Sequence, residues 1–140
     1  MLIPVLSVGA VIINGSQVLL VSHGKSANHQ EGIYGLPSGK VDKFEEPKQA
    51  CIREIKEETG LIIKPDGLFR LPTTYIADIE MKDKLKRFVW MTYKVNHFTG
   101  ALNFTTETKP EWVAISAVAK FHPLPNVIAA IRQAQTIQHS

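Results

Sequence analysis

The stretch of sequence that decides the fold is GKVDKFEEPKQACIREIKEETGL, residues 39–61. Proline is favoured at the first position of a helix, because the N–H that it lacks would have no partner there, so Pro47 predicts a helix start. Gly60 predicts the helix end, since glycine readily adopts the left-handed conformation that follows a last turn. We therefore expect a helix of about three and a half turns.

Three glutamates crowd one face of this predicted helix. Glu54, Glu57 and Glu58 stand at positions i, i+3 and i+4, which places them within an arc of about 100°. Like charges at this spacing destabilise a helix by about 0.2–0.5 kcal/mol per pair. Arg53 offsets part of the repulsion, and a divalent cation would offset more, because Mg²⁺ and Mn²⁺ prefer oxygen ligands. Taken alone, the helix is also explained by a solvated acidic stripe.

The residues before the helix favour a metal site over a solvated stripe. The segment 36–40, Leu-Pro-Ser-Gly-Lys, predicts a glycine-bearing loop whose backbone carbonyls can face the same metal, and Glu45 lies just before the helix. Gly39, five residues, Glu45, seven residues and then REIKEETGL, residues 53–61, follow one another without a gap. In this order and spacing the chain resembles the signature of the Nudix hydrolases.

The resemblance implies an α/β fold, the α/β/α sandwich with a central mixed β-sheet, over a single domain of residues 1–140. It implies that the signature forms a loop, a helix and a loop. It also implies a Mg²⁺ or Mn²⁺ cofactor bound by Glu54, Glu57 and Glu58, with help from the backbone carbonyl of Gly39 or of Ser38 beside it. The activity implied is hydrolysis of a diphosphate bond, for which a metal can neutralise phosphoryl charge and make a water nucleophilic.

Roles for the other signature residues also come from the resemblance. Arg53 is expected to hold a glutamate in place, with Glu45 in a structural role through Arg53 and Gly60 in a structural role at the helix end. The proton acceptor is either Glu54 or an acid on a later loop, where Glu107 and Glu111 lie, and each of these two acids is equally well a surface residue. The candidate catalytic residues are therefore Glu54, Arg53, Glu57 and Glu107.

The rest of the chain predicts strands on both sides of this helix and a second helix near the end. The two apolar runs that open the chain are joined through Asn14-Gly15, a pair that favours a tight hairpin. Alternating residues predict further strands, and helical spacing of apolar residues predicts the last helix. The expected elements are strands at 8–13, 17–22, 68–79, 88–95 and 111–115 and a helix at 126–135.

The substrate is left open among three hypotheses. The first is a MutT-like hydrolase that converts a nucleoside triphosphate to the monophosphate and pyrophosphate, because Asn126 falls where MutT-type enzymes place an asparagine against the base. Asn126 also predicts a cap of the last helix, the interpretation that we favour, and the two roles are compatible. Lys40 and His23 are further candidate substrate-binding residues, and the polar loop 23–32 either covers a ligand or only connects elements. The second hypothesis is an ADP-ribose type pyrophosphatase, and the third a nucleotide-sensing module without catalysis.

Composition limits the partners. The formal net charge of +3 favours small anionic ligands without predicting nucleic-acid binding. Basic residues cluster at 82–87, where they either sit on a solvated hairpin tip or contact phosphates. One cysteine allows no internal disulfide, and no apolar stretch reaches the roughly 20 residues that a membrane span needs. We expect a cytoplasmic enzyme with a small-molecule nucleotide substrate, no nucleic-acid or membrane partner, and a monomeric or homodimeric state.

Overall fold

The computed structural model describes residues 2–23, 33–104 and 108–137. Within these ranges the chain forms seven strands, two α-helices and two short 3-10 helices, the latter at Pro65–Gly67 and Ile115–Phe121. No helix in these ranges is long and apolar enough to cross a membrane. The main elements are β1 (Val5–Asn14), β2 (Gln17–His23), β3 (Tyr34–Gly35), β4 (Ser38–Lys40), α1 (Pro47–Thr59), β5 (Leu68–Met81), β6 (Lys84–Val95), β7 (Thr108–Ala114) and α2 (Val127–Thr136).

The strands form one mixed sheet with β1 at its centre. Along the main path the order is β3, β2, β1, β6, β5, while β4 pairs with β1 and β7 pairs with β2. Strand β1 runs parallel to β6 and antiparallel to β4, so that Ser7 pairs with Trp90 on one side and with Lys40 on the other. The short strand β4 therefore lies beside the middle of the sheet, next to the residues that follow in α1.

The two helices cover opposite faces of the sheet, because alternate side chains of each strand point to opposite sides. Ala10 of β1 belongs to a buried cluster that contains Cys51 and Ile55 of α1. Its neighbour Val11 belongs to a second buried cluster that contains Ile131 of α2. We call these sides the α1 face and the α2 face. The predicted α/β/α sandwich with a mixed sheet is confirmed.

The signature helix is confirmed at both ends. It begins at Pro47, and Glu46 before it forms a reciprocal capping box with Gln49, which satisfies backbone N–H groups of the first turn. It ends at Gly60, whose φ of 85° is left-handed and whose N–H donates to the carbonyl of Lys56. A Cβ at Gly60 would lie 2.7 Å from the carbonyl oxygen of Ala101, so glycine also fits the space there.

Two local predictions need correction. The segment 36–40 is not a loop throughout, because residues 38–40 form strand β4 against β1. In the first hairpin Asn14 pairs with Gln17, so the turn consists of Gly15 and Ser16. Gly15 alone has a positive φ there, of 62°, and Asn14 ends the strand. The hairpin itself is confirmed.

The strands β5 and β6 form a long hairpin that extends past the end of β1. They pair from Leu68 with Val95 to Met81 with Lys84, and the turn residues Lys82 and Asp83 both have positive φ. Strand β1 pairs with β6 only from Phe88 onward. The outer part of the hairpin therefore has no β1 neighbour, and the predicted basic tip lies there.

Candidate functional site

Glu58 is the most buried of the three glutamates on α1, with 8% of its surface exposed. Its Oε1 accepts a hydrogen bond of 2.6 Å from the backbone N–H of Ser38, which ties α1 to the start of β4. The pKa of Glu58 is raised to about 8, chiefly by burial and also by the charges of Glu54 and Glu57, against the lowering effect of that hydrogen bond. Positive charge placed nearby would favour the ionised form.

Glu54 lies directly against the backbone of β4. A Cβ at Gly39 would overlap the carboxyl carbon and both carboxyl oxygens of Glu54, so only glycine leaves room for this carboxylate. The Glu54 side chain is 16% exposed. Burial raises the pKa of Glu54, while its hydrogen bond from Arg53 opposes that rise. A partly buried carboxylate of this kind is held in a fixed place beside the strand.

Arg53 connects the acids of this site to one another. It donates two hydrogen bonds to Glu45, of 2.8 and 2.9 Å, and a third of 2.8 Å to Glu54. It also donates to the backbone carbonyl of Lys40 at 3.0 Å and lies 3.3 Å from Glu57. The bonds from Arg53 lower the pKa of Glu45 to about 2, which keeps it ionised at any neutral pH. Arg53 thus fixes Glu54 through a network that includes β4.

The donor chemistry of the site fits a hard divalent cation. Three carboxylates, at Glu54, Glu57 and Glu58, project from α1 beside the strand that contains Ser38 and Gly39. Two of them are largely buried with raised pKa values, which is a cost that a cation would relieve. In the described ranges no three acidic, His or Cys side chains already converge on one point. The fit therefore rests on the carboxylate donors and on their crowding.

A cavity of about 310 Å³ lies on the α2 face of the sheet, next to β4. Its floor contains the aromatic side chains of Phe88 and Trp90, and the loop before α2 contributes Leu124 and Pro125. Trp90 lies flat over Gly9, since a Cβ at Gly9 would come 2.5 Å from the indole ring. An apolar, partly aromatic cavity of this size suits a flat organic ring.

Strand β4 adjoins both the cavity and the acidic site. All three residues of β4 line the cavity, while a Cβ at Gly39 would point to the α1 face and meet Glu54. The two sites therefore lie back to back across one strand. A ligand that occupies both must cross the edge of β4 that lies away from β1.

The structure places two of the three predicted substrate-binding residues at the cavity. Lys40 and Asn126 both line the cavity. Asn126 also occupies the N-cap position of α2, but with a φ of 71° and no hydrogen bond from its side chain to the helix, so the prediction of side-chain capping is wrong. The backbone carbonyl of Asn126 accepts from Ala130 instead, which leaves the amide available to the cavity. His23 ends β2, and its side chain lies outside the described part.

The structure distinguishes between two of the alternative proton acceptors, Glu54 and Glu111. Glu107 and the loop 24–32 lie outside the described residues. Glu111 is in β7, where Trp112 packs on the α1 cluster and Val113 belongs to the α2 cluster. Because side chains alternate, Glu111 shares the α2 face with Val113 and lies on the opposite side of the sheet from Glu54. Of the two acids that the structure describes, Glu54 alone adjoins the signature acids.

Sequence reasoning missed two residues of the cavity. The sequence alone does not assign Trp90 to a cavity, and for the basic cluster that contains Lys86 it predicts either a solvated hairpin tip or contact with phosphates. The structure places both at the cavity. The signal was the spacing i, i+2 and i+4 of Lys86, Phe88 and Trp90 on one strand, which puts all three on one face. This spacing indicates a binding surface only once the position of the cavity is known.

Comparison with known proteins agrees with this geometry. The chain is 39% identical over 65 residues to an ADP-ribose pyrophosphatase of Methanocaldococcus jannaschii, covering 46% of this chain and 37% of that protein. It is 29% identical over 119 residues to the 8-oxo-dGDP phosphatase NUDT18 of Danio rerio, covering 84% of this chain and 33% of that protein. The chain spans only about a third of the length of these two curated relatives.

Solved structures share the fold over almost the whole chain. A MutT NUDIX hydrolase from Burkholderia pseudomallei superposes with a TM-score of 0.73 at 23% identity, covering 97% of this chain and 99% of that one. The NUDIX domain of NrtR from Shewanella oneidensis, solved with ADP ribose, gives a TM-score of 0.71 at 20% identity, covering 97% and 89%. The family model of the NUDIX domain matches residues 4–135, and the chain therefore belongs to the NUDIX domain family.

Proposed function

We propose that this chain is a MutT-like hydrolase that converts a nucleoside triphosphate to the nucleoside monophosphate and pyrophosphate. The observation that carries the proposal is the position of β4, with an acidic site on one side and a ring-sized cavity on the other. A nucleotide has the matching layout, a flat base joined to a chain of phosphates. Its base would occupy the cavity while its phosphates cross the strand edge toward α1.

The cavity residues define how the base is held in this proposal. Phe88 and Trp90 offer aromatic faces on which a base can stack. Asn126 offers an amide that can donate and accept at a base edge. Lys40 lines the cavity beside the strand that the phosphates cross, where its positive charge attracts them. Binding therefore orients the diphosphate bond toward Glu54.

The metal in this proposal is Mg²⁺ or Mn²⁺, since Nudix hydrolases generally use a divalent metal. The carboxylates of Glu54, Glu57 and Glu58 and the backbone carbonyl of Ser38 or Gly39 would hold it. When bound, the metal neutralises phosphoryl charge and lowers the pKa of a bound water. Glu54, with its raised pKa and fixed position, accepts the proton of the attacking water. Arg53 positions Glu54 through its 2.8 Å hydrogen bond, with Glu45 behind it.

The relatives support a reaction at a diphosphate and divide on the substrate. The Methanocaldococcus relative is named for ADP-ribose, and the Danio relative for an oxidised guanine nucleotide. An ADP-ribose type substrate would use the same acidic site and extend a second sugar beyond the phosphates. We place the nucleoside triphosphate first because Asn126, which falls where MutT-type enzymes place an asparagine against the base, lines this cavity.

A substrate screen tests the proposal. The protein is incubated with Mg²⁺ and a set of nucleoside triphosphates and nucleotide sugars, and the release of pyrophosphate or monophosphates is measured. We expect selective turnover of triphosphates, and loss of at least about 10²-fold in kcat in Glu57→Gln, because a metal ligand is removed. Glu80→Gln, at an exposed acid on β5, is the matched control and should keep wild-type turnover.

Each outcome of the screen decides between the hypotheses. Turnover of ADP-ribose with inert triphosphates would replace the first hypothesis by the second. Binding of nucleotides without turnover of any compound would point to a sensing module. Reaction in ¹⁸O-labelled water then shows which phosphorus is attacked, because the label appears in the monophosphate or in the pyrophosphate.

A further inference from the structure

The side chain of Lys86 lies at the cavity rather than at the solvated tip of the hairpin. Strand β6 places Lys86, Phe88 and Trp90 on the α2 face, and all three line the cavity. Lys86 pairs across the hairpin with Ile79, which also lines the cavity. The basic residues on either side behave differently, since Lys84 does not line the cavity and Arg87 points to the α1 face.

The charge of Lys86 is not matched by an acid of the cavity. The cavity lining contains two lysines, Lys40 and Lys86, and no carboxylate among the described residues. Asp78 and Glu80 flank Ile79, the register partner of Lys86, and Asp78 forms a 2.8 Å ion pair with Arg87. Within the described part of the chain Lys86 takes part in no ion pair. Its three N–H donors therefore remain for water or a ligand.

The register gives the distance between the two lysines. Lys40 and Trp90 both pair with Ser7, so their Cα atoms are about 10 Å apart, two strand spacings. Lys86 lies four residues further along β6, about 13 Å. The two lysine Cα atoms are then about 16 Å apart, and the side chain of Lys86 can shorten this by about 6 Å. Phe88 lies two residues, about 7 Å, from Lys86 on the same face of β6, so the ammonium group can reach the edge of a base that stacks on Phe88.

We propose that Lys86 is a specificity-determining residue that donates a hydrogen bond to an oxo group on the far edge of the bound base. The inference rests on the proposed function, because it assumes that the base lies on Phe88 and Trp90. An ammonium group can donate but cannot accept. A base with an oxo group at this edge gains a charge-assisted hydrogen bond, whereas an amino group turns its own N–H toward the lysine. The site therefore prefers oxo-edged bases to amino-edged bases.

Inosine and adenosine triphosphates test this preference, since they differ at the 6-oxo or 6-amino edge of the same purine. We expect kcat/KM for the inosine compound to exceed that for the adenosine compound by about tenfold, the effect of one hydrogen bond to a charged group at an open cavity mouth. In Lys86→Met, which keeps most of the length of the side chain without its charge, the ratio should fall to about one. In Lys84→Met, two residues further along the same face and outside the cavity, it should remain at the wild-type value.

The outcomes separate this inference from the proposed function. A ratio that is unchanged in Lys86→Met overturns the inference, and so does an equal loss on both substrates, which would show general attraction of phosphates. If the wild type hydrolyses neither compound, binding of inosine and adenosine diphosphates is measured by calorimetry. A preference for the inosine compound that Lys86→Met removes then supports the contact while the hydrolase proposal fails. Binding of neither compound overturns the inference, while the substrate screen decides the proposed function.

Discussion

The two sides of β4 are built in different ways. On the α1 face, side chains from one helix and the residues just before it form a network of short hydrogen bonds, with Arg53 at its centre and a glycine that leaves no spare room. On the α2 face, residues from five strands, from the loops beside them and from the start of α2 surround an open apolar cavity. The hydrogen bonds of the first arrangement fix its acidic side chains in place. The second depends on apolar packing among separate elements, so its shape can change more easily.

Of the substitutions that compare the two sides of β4, Gly39→Ala is expected to change kcat most. The added methyl group would overlap the carboxyl group of Glu54, so Glu54 or β4 must move. Because a misplacement of about 1 Å in a reacting group can cost about 10²-fold, we expect kcat to fall by about that factor. Steady-state kinetics measure it, and thermal unfolding shows that the protein is still folded. A fully active Gly39→Ala protein would show that Glu54 does not need its place against the strand.

Gly9→Ala tests the other side of β4 with the same chemical change. A Cβ there lies 2.5 Å from the indole of Trp90, which must tilt into the cavity. We expect KM to rise by about tenfold while kcat changes little, because binding of the ring is weakened and the acidic site is untouched. A loss confined to kcat would contradict the proposal that the α2 face binds the ring while the α1 face contains the reacting groups. The pair of alanine variants thus compares the faces directly.

Phe44→Gly should have the smallest effect of the three substitutions, and it should stabilise the protein. Phe44 is 96% exposed and has a φ of 68°, a left-handed conformation that costs a residue with a side chain about 1–2 kcal/mol. Glycine removes this strain but loses about 0.5–1 kcal/mol through its more flexible unfolded chain. A weak contact between the ring and Lys43 is also lost. We expect the free energy of unfolding to rise by about 0.5 kcal/mol, measured by urea denaturation. A clear decrease would show that the exposed ring contributes a contact.

The α1 face could be predicted from the sequence because its information is local. Pro47, Gly60 and the spacing of the three glutamates lie within one segment, and helix geometry converts that spacing into a face. The ion pair between Arg53 and Glu45 lies in the same segment. The catalytic and metal-binding roles themselves remain predictions, since they came from the family resemblance.

The cavity could not be predicted in the same way, because residues far apart in the chain form it. Gly9 shapes it by making room for Trp90, and the close approach of Asn126 depends on the position of α2 across the sheet. Local rules even favoured a wrong assignment for Asn126, since asparagine is a good helix cap. In the structure the left-handed backbone of Asn126 replaces that capping geometry.

The alternation of side chains along β4 has a consequence for how such a domain can diverge. Gly39 serves the acidic site through its backbone and its lack of a side chain, while Ser38 and Lys40 present their side chains to the cavity. Substitutions at residues 38 and 40 can therefore alter ligand choice while the position of Glu54 is retained. A lineage of such chains could exchange one substrate for another in small steps without passing through an inactive ancestor.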